Sequence, residues 1–168
     1  GQQLLISEND GLVNGNVLSI AGNDDEIWFG TLGGASRVKP DERLANINYM
    51  PVFENYGTDE GLANNYIYQV HLSSDGFPYF ATDGSGVLVF KKGYFETLSE
   101  QENFSNKVIY SVTSDQSGNI WMNAAEDGLY KFDGQNVVKT TKDPDHVNLS
   151  FSCIVSESNK VIMGYDQG

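Results

Sequence analysis

The sequence predicts an all-β fold of repeated four-stranded antiparallel units, and three observations carry that prediction. First, two short apolar segments recur in register. "IWFGT" at 27–31 has counterparts in "PYFAT" (78–82), "IWMNA" (120–124) and "VIMGY" (161–165), at steps of 51, 42 and 41 residues. Upstream, "VLSI" (17–20), "IYQV" (67–70), "IYSV" (109–112) and "FSCI" (151–154) follow at steps of 50, 42 and 42. An asparagine stands three residues before each of these: Asn14, Asn64, Asn106 and Asn148. Second, the segments are apolar on both faces rather than alternating, so each must lie between neighbouring sheets. Third, 18 glycines against 4 prolines suit a chain that reverses often through tight turns. Four-stranded units of about 40 residues, stacked face to face, make a β-propeller. A β-solenoid would need shorter periods, and a sandwich would not repeat its own motif.

The elements follow in the same order within each unit. A short apolar strand leads into a polar turn ("AGNDDE", "HLSSDGF", "TSDQSGN", "SESNK"), and the aromatic or apolar strand follows. A Gly-containing turn ("LGG" at 32–34, "DGSG" at 83–86, "EDG" at 126–128) then reverses the chain into a third strand, "ASRV", "VLVF" or "LYKF". A looser fourth strand closes the unit, as in "INYMPVFENY" or "NVVKTTK". No window carries the 3,4-spacing of a helix. The units run over about 14–63, 64–105, 106–147 and an incomplete 148–168, so residues 1–168 form one partial propeller of about three and a half blades. The longer first unit is explained by a polar insertion at 39–48, and the chain is expected to start on an outer strand, "QQLLIS".

Charge removes several classes of function. A formal net charge of −13, with 10 Lys and Arg scattered along the chain, argues against a nucleic-acid partner, which needs clustered cations. It also opposes direct contact with an anionic membrane surface, and no run reaches the length of a membrane span. Cys153 is the only cysteine, so no intrachain disulfide forms, and "FSCIV" reads as a buried, inert thiol. No residue set implies a cofactor.

On these residues the chain resembles the repeat of two-component regulator propellers. That repeat runs approximately as Gly-Leu-x-Asn, an apolar strand, an Asp-containing turn, Trp-x-Gly-Thr, a glycine pair and a further strand. "ENDGLVNGNVLSIAGNDDEIWFGTLGGASRV" follows it closely, and "DEGLANNYIYQVHLSSDGFPYFATDGSGVLVF" follows it with Tyr79 in the Trp position. "SNKVIYSVTSDQSGNIWMNAAEDGLYKF" keeps the Asp turn and Trp121 without the leading Gly-Leu, and the fourth unit has Ile162 in the Trp position. The resemblance implies a periplasmic sensor region of a hybrid two-component histidine kinase of the Bacteroidetes type, many of which sense polysaccharide breakdown products. It also implies rings of about seven blades, so this arc is expected to be a segment of a larger sensor. Its open blade faces are expected to be covered by self-association of two arcs or by the rest of the propeller.

Each chemical motif has a structural counterpart. "GTLGG" lies between two strands and does not open a helix, which a phosphate loop requires. Gly33, Gly34, Gly86 and Gly128 recur as turn residues of positive φ. "SDQSGNIW" resembles the Asp box of sialidase-like propellers, and Asp25, Asp75 and Asp115 are expected to accept turn N–H groups. A sialidase needs an arginine cluster, and only Arg37 and Arg43 are present. Asp143, Asp145 and His146 lack the glycine and terminal glutamate of a calcium loop. His71 and His146 have no evident partner for a Ser-His-Asp arrangement, and no carboxylate pair stands out for acid/base work. Trp28, Phe29, Tyr79, Phe80 and Trp121 sit on repeated strands and read as inter-blade packing.

The remaining candidates border the channel. Asn14, Asn16, Asn64, Asn65 and Tyr66 lie on the Gly-Leu-x-Asn loops that enter the innermost strand. Their amides are candidates to serve a ligand or to cap the turns they repeat in. Tyr56, Tyr66, Tyr68, Tyr94 and Phe95 are candidates for a sugar-stacking surface. The expected function is therefore a non-enzymatic extracytoplasmic ligand sensor, plausible ligands being oligosaccharides. A protein-interaction scaffold and a propeller lyase or glycosidase are the alternatives.

Overall fold

The computed structural model describes residues 5–40, 46, 49–98, 104, 107–125, 127–140, 151–157 and 160–165. Arg43, Asn106, Asp143, Asp145, His146 and Asn148 lie outside the described residues, as does the side chain of Cys153.

Fourteen strands are described. The first sheet holds β1 (Val17–Gly22), β2 (Ile27–Thr31), β3 (Gly34–Val38) and β4 (Glu54–Tyr56), paired in that order. The second holds β5 (Ile67–Leu72), β6 (Pro78–Thr82), β7 (Val87–Lys91) and β8 (Tyr94–Thr97). The third holds β9 (Ile109–Ser114), β10 (Ile120–Ala124), β11 (Gly128–Phe132) and β12 (Val137–Lys139). β13 (Phe151–Glu157) pairs with β14 (Lys160–Tyr165) as a two-stranded fourth sheet. All neighbours are antiparallel. The arc of propeller blades is not closed into a ring. Two expectations need correcting. Among the described residues of "INYMPVFENY", 49–56, only Glu54–Tyr56 is strand, and residues 5–7 of "QQLLIS" are irregular, leading into a 3-10 turn at Glu8–Asp10.

The strand in the Trp position directs that side chain toward the following blade. Trp28 is fully buried and meets Phe80 edge-on, with ring centroids 5.1 Å apart at 78°. Ala35, Leu62, Ile67, Val70, Leu88 and Phe90 complete this first inter-blade core. Residue 30 must be small there: a Cβ on Gly30 would sit 2.8 Å from Ile67 Cγ2. The next residue along each second strand faces backward, so Phe80 packs on the first blade while Tyr79 and Ala81 join Ile109, Val112 and Met122 in the second core. Fully burying a large aromatic is worth about 3 kcal/mol, so these strands bind blade to blade as the apolar pattern predicts.

A recurring polar contact ties the inner strands of the first three blades. Ser19 Oγ accepts the Val70 N–H at 3.1 Å, and Gln69 Oε1, the equivalent residue one blade on, accepts the Val112 N–H at 2.8 Å. The third copy of that position is Ser111, whose hydroxyl is buried without a partner.

The turns keep the repeat's chemistry with local departures. Gly34, Gly86 and Gly128 have φ of 129°, 66° and 93°. Gly33 does not; it is small because a Cβ there would lie 2.6 Å from that of Asn14. Asp115 accepts the N–H groups of Ser117 and Asn119 and the Trp121 indole N–H at 2.8 Å. Asp75 accepts the Phe77 N–H and the Tyr79 hydroxyl. Asp25 is not the acceptor of its turn: Asn23 Oδ1 takes the N–H groups of Asp25 and Glu26. The acceptor opens the turn in the first and third blades, at Asn23 and Asp115, and stands third in the second, at Asp75.

Candidate functional site

The first strands of successive blades, β1, β5, β9 and β13, pack against one another and form the inner edge of the arc. Because consecutive strands are antiparallel, the loops entering these strands share one end of the blades with the turns between second and third strands. That end is the loop face, and its inner rim gathers the sequence candidates.

A β-bulge recurs at one register position of all four inner strands. The pairing skips a residue between Val17 and Ser19, between Ile67 and Gln69, between Ile109 and Ser111, and between Phe151 and Cys153. The extra residues are Leu18, Tyr68, Tyr110 and Ser152. A bulged residue leaves the ladder and re-aims its side chain. Tyr68 and Tyr110 meet edge to face, with centroids 5.2 Å apart at 72°. Neither belongs to an inter-blade core, and Tyr110 is 37% and Leu18 48% exposed.

Asp83 ties the loops to this row. Its N–H donates to the Tyr66 carbonyl at 3.1 Å, and its own carbonyl accepts from Asn64 Nδ2. Partial burial first, then the charges of Asp83 and Tyr110, raise the Tyr68 phenol above its ordinary value. The first blade repeats the backbone contact, Leu32 N–H to the Asn16 carbonyl at 3.2 Å, with leucines in place of the polar groups.

Asn14 Oδ1 accepts the Asn16 N–H at 2.9 Å, Asn64 Oδ1 the Tyr66 N–H at 2.8 Å, and Asn65 Oδ1 the Thr58 N–H at 2.9 Å. Those three oxygens hold the loops in shape. Asn16 and Tyr66 present exposed side chains at the rim. Sequence reasoning missed Asp83 and Tyr110. The signal that could have found them was variation inside the repeat: Leu32, Asp83 and Ala125 share one position, and Leu18, Tyr68 and Tyr110 another. Of the other aromatic candidates, Tyr56 and Phe95 are built into the packing around Trp28, whereas Tyr94 lies exposed on β8.

Arg37, His71 and Asp127 are each engaged by neighbours. Arg37 lies beside a cleft of about 250 Å³ at the outer rim, but Glu26 (2.8 Å) and Glu54 (3.2 Å) already neutralise it. His71 does have a partner. Its Nε2 lies 2.8 Å from Ser114 Oγ of the next blade, toward the end opposite the loop face. Asp127 is held by Lys107, by Lys139 at 2.6 Å and by the Tyr130 hydroxyl at 2.7 Å. Among the described residues no three His, Cys, Asp or Glu side chains group as metal ligands. The rim can therefore offer aromatic faces, amides and one carboxylate acceptor to a hydroxylated ligand.

With this geometry the chain is similar to the extracellular domain of the proposed hybrid two-component system BT3049 from B. thetaiotaomicron, at 24% identity and a TM-score of 0.74 over 97% of this chain and 22% of that one. The extracellular domain of the proposed one-component system BT4673 from the same organism is similar at 20% identity, with a TM-score of 0.72 over 92% of this chain and 20% of that one. The chain resembles Bacteroidetes two-component extracellular domains. It spans about a fifth of their length. Virginiamycin B lyase from Staphylococcus aureus is also similar, at 17% identity and a TM-score of 0.65 over 90% of this chain and 50% of that one. At such identities the likeness is one of fold. No family model matches the chain, and no curated protein matches its sequence.

Proposed function

We propose that this chain is a non-enzymatic, periplasmic ligand-sensing segment of a hybrid two-component regulator, and that its ligand is an oligosaccharide. The observation that carries the reading is the loop-face rim, where Tyr66, Tyr68 and Asn16 stand free of both blade cores beside Asp83. The likeness to two-component extracellular domains supports it. Ligand contacts fall to Asn16 and Tyr66, while Asn14, Asn64 and Asn65 shape the loops that present them. A ligand signals only if it prefers one of two blade arrangements, and the rim joins three turns whose spacing depends on that arrangement. The kinase that such a regulator requires would belong to the rest of the parent chain. The open blade faces are covered there by further blades, or by a second arc in this chain alone.

The lyase likeness is one of fold, and His71 is committed between blades and faces away from the rim. The test is a melting screen of the chain against a broad library of glycans and other small metabolites. A binder at a hundred times its Kd raises stability by about 2.7 kcal/mol. The expected result is a shift with at least one library member that disappears in the double variant Asn16→Ala, Tyr66→Ala. Turnover of any member by the chain, or no shift across the library, would end the sensor reading.

A further inference from the structure

We infer that the recurring inner-strand bulge is a ligand-reading device, and that Tyr68 and Tyr110 together form a stacking platform for a neutral pyranose ring, with Asp83 accepting from its hydroxyls. The inference rests on the sensor reading above and names the ligand class and the residues that select it. The bulge occurs at one register position in every blade, so it is a property of the repeat and not a local irregularity. Bulges redirect side chains, and they concentrate beside binding sites. Here the redirected residue leaves the inter-blade packing: Ile109 and Ser111, on either side of Tyr110, are buried, whereas Tyr110 remains 37% exposed.

The chemistry of the row defines its ligand. The C–H face of a pyranose packs on an aromatic face, and the edge-to-face contact of Tyr68 with Tyr110 holds the two rings at 72° so that they present different surfaces to one side. Asp83 is fixed by two backbone hydrogen bonds, Asp83 N–H to the Tyr66 carbonyl and Asn64 Nδ2 to the Asp83 carbonyl. These bonds fix its backbone, which places a carboxylate at the rim, suited to a sugar hydroxyl pair and opposed to a uronate or sulfate. The net charge of −13 adds to that exclusion. In the first blade the equivalent positions are Leu18 and Leu32, which extend the platform with apolar surface and no acceptor.

The experiment measures binding of two oligosaccharide panels to the full chain by calorimetry. One holds neutral fragments of glucan, mannan, xylan and galactan; the other holds fragments of polygalacturonate and glycosaminoglycans. Variants are Tyr68→Ala, Tyr110→Ala, the conservative Tyr110→Phe, and Tyr94→Ala as an exposed tyrosine away from the rim, each checked first for its melting transition. The expected result is that neutral fragments bind the wild type and that each rim alanine variant binds roughly tenfold more weakly. Tyr94→Ala should retain wild-type affinity, and Tyr110→Phe, which keeps the ring, should bind more tightly than Tyr110→Ala. If one rim alanine variant fails to fold, the other and Tyr68→Phe, which removes the hydroxyl facing Asp83 and should weaken binding, carry the test. Undiminished binding by folded rim variants would overturn the platform and leave the sensor reading standing. Preference for the acidic panel would overturn the ligand class. If neither panel binds, the platform fails, and the sensor reading then depends on the wider library screen.

Discussion

Gly34 shows how much one residue can decide. Its φ of 129° lies where side chains are strained, and a Cβ there would sit 2.3 Å from the Tyr56 carbonyl oxygen. That oxygen belongs to the backbone of β4, so it cannot swing aside. Gly34→Ala is expected to destabilise the chain by about 3 kcal/mol. Gly76, with φ of 82° and nothing within 4 Å of where a Cβ would stand, isolates the strain alone, and Gly76→Ala should cost about 1 kcal/mol. Urea unfolding of both variants checks the pair; equal losses would mean that the β4 contact is unimportant. Gly34 was legible as a turn residue from its register, and Gly76 only as part of the polar turn "HLSSDGF". The contact with Tyr56 was not, because it depends on where the fourth strand returns after a long insertion. Asp115 is a similar case. Burial favours its neutral form, but Trp121, Asn119 and Ser117 donate enough hydrogen bonds to hold the carboxyl below its usual range. Its Asp-turn role was readable from "SDQSGNIW", whereas the transfer of that role from Asp25 to Asn23 in the shorter first turn was not.

Among elements, the β5–β9 boundary carries a titratable contact. Burial lowers the His71 imidazole from its ordinary value, outweighing the pull of Asp75, and its Nε2 pairs with Ser114 Oγ. The folded state therefore resists a proton that the unfolded chain takes up near pH 6.5. The sign follows: this contribution is complete above that pH and is lost as pH falls through the depressed folded value. Thermal melts from pH 8 to pH 5 should show a decline beginning below about pH 6.5 that His71→Gln removes. An unchanged profile in His71→Gln would assign the decline to other groups. Sequence reading left His71 without a partner because its neighbour lies 43 residues away, about one repeat on. The same repeat made the strands easy to place. It also concealed the bulge, since an extra residue present in every unit leaves the steps between units unchanged. Asp83 and Tyr110 escaped for a related reason: they converge with Asn64 and Tyr66 from different turns and different blades.

At the scale of the whole molecule, the two ends of the arc expose what its interior buries. Ile20, equivalent to the buried Val70 and Val112, is 62% exposed, and Val155 and Ile162 on the fourth sheet are 54% and 51% exposed. Each end is one half of the boundary that the interior repeats, so the ends suit one another head to tail. Sedimentation velocity of this chain should find a concentration-dependent dimer that Val155→Lys combined with Ile162→Lys dissociates; a wild-type monomer throughout would show that the ends do not pair. The hydrogen bonds from Ser19 and Gln69 have a different consequence for measurement. The amides of Val70 and Val112 are protected by side chains of the preceding blade rather than by their own sheet's ladder. Their exchange with deuterium requires two blades to part, while exchange of the amides of β5 and β9 that pair with β6 and β10 requires a sheet to unravel. Those two amides are thus built-in reporters of blade separation, and their rates, read with and without ligand, would time the blade motion that the proposed sensing requires.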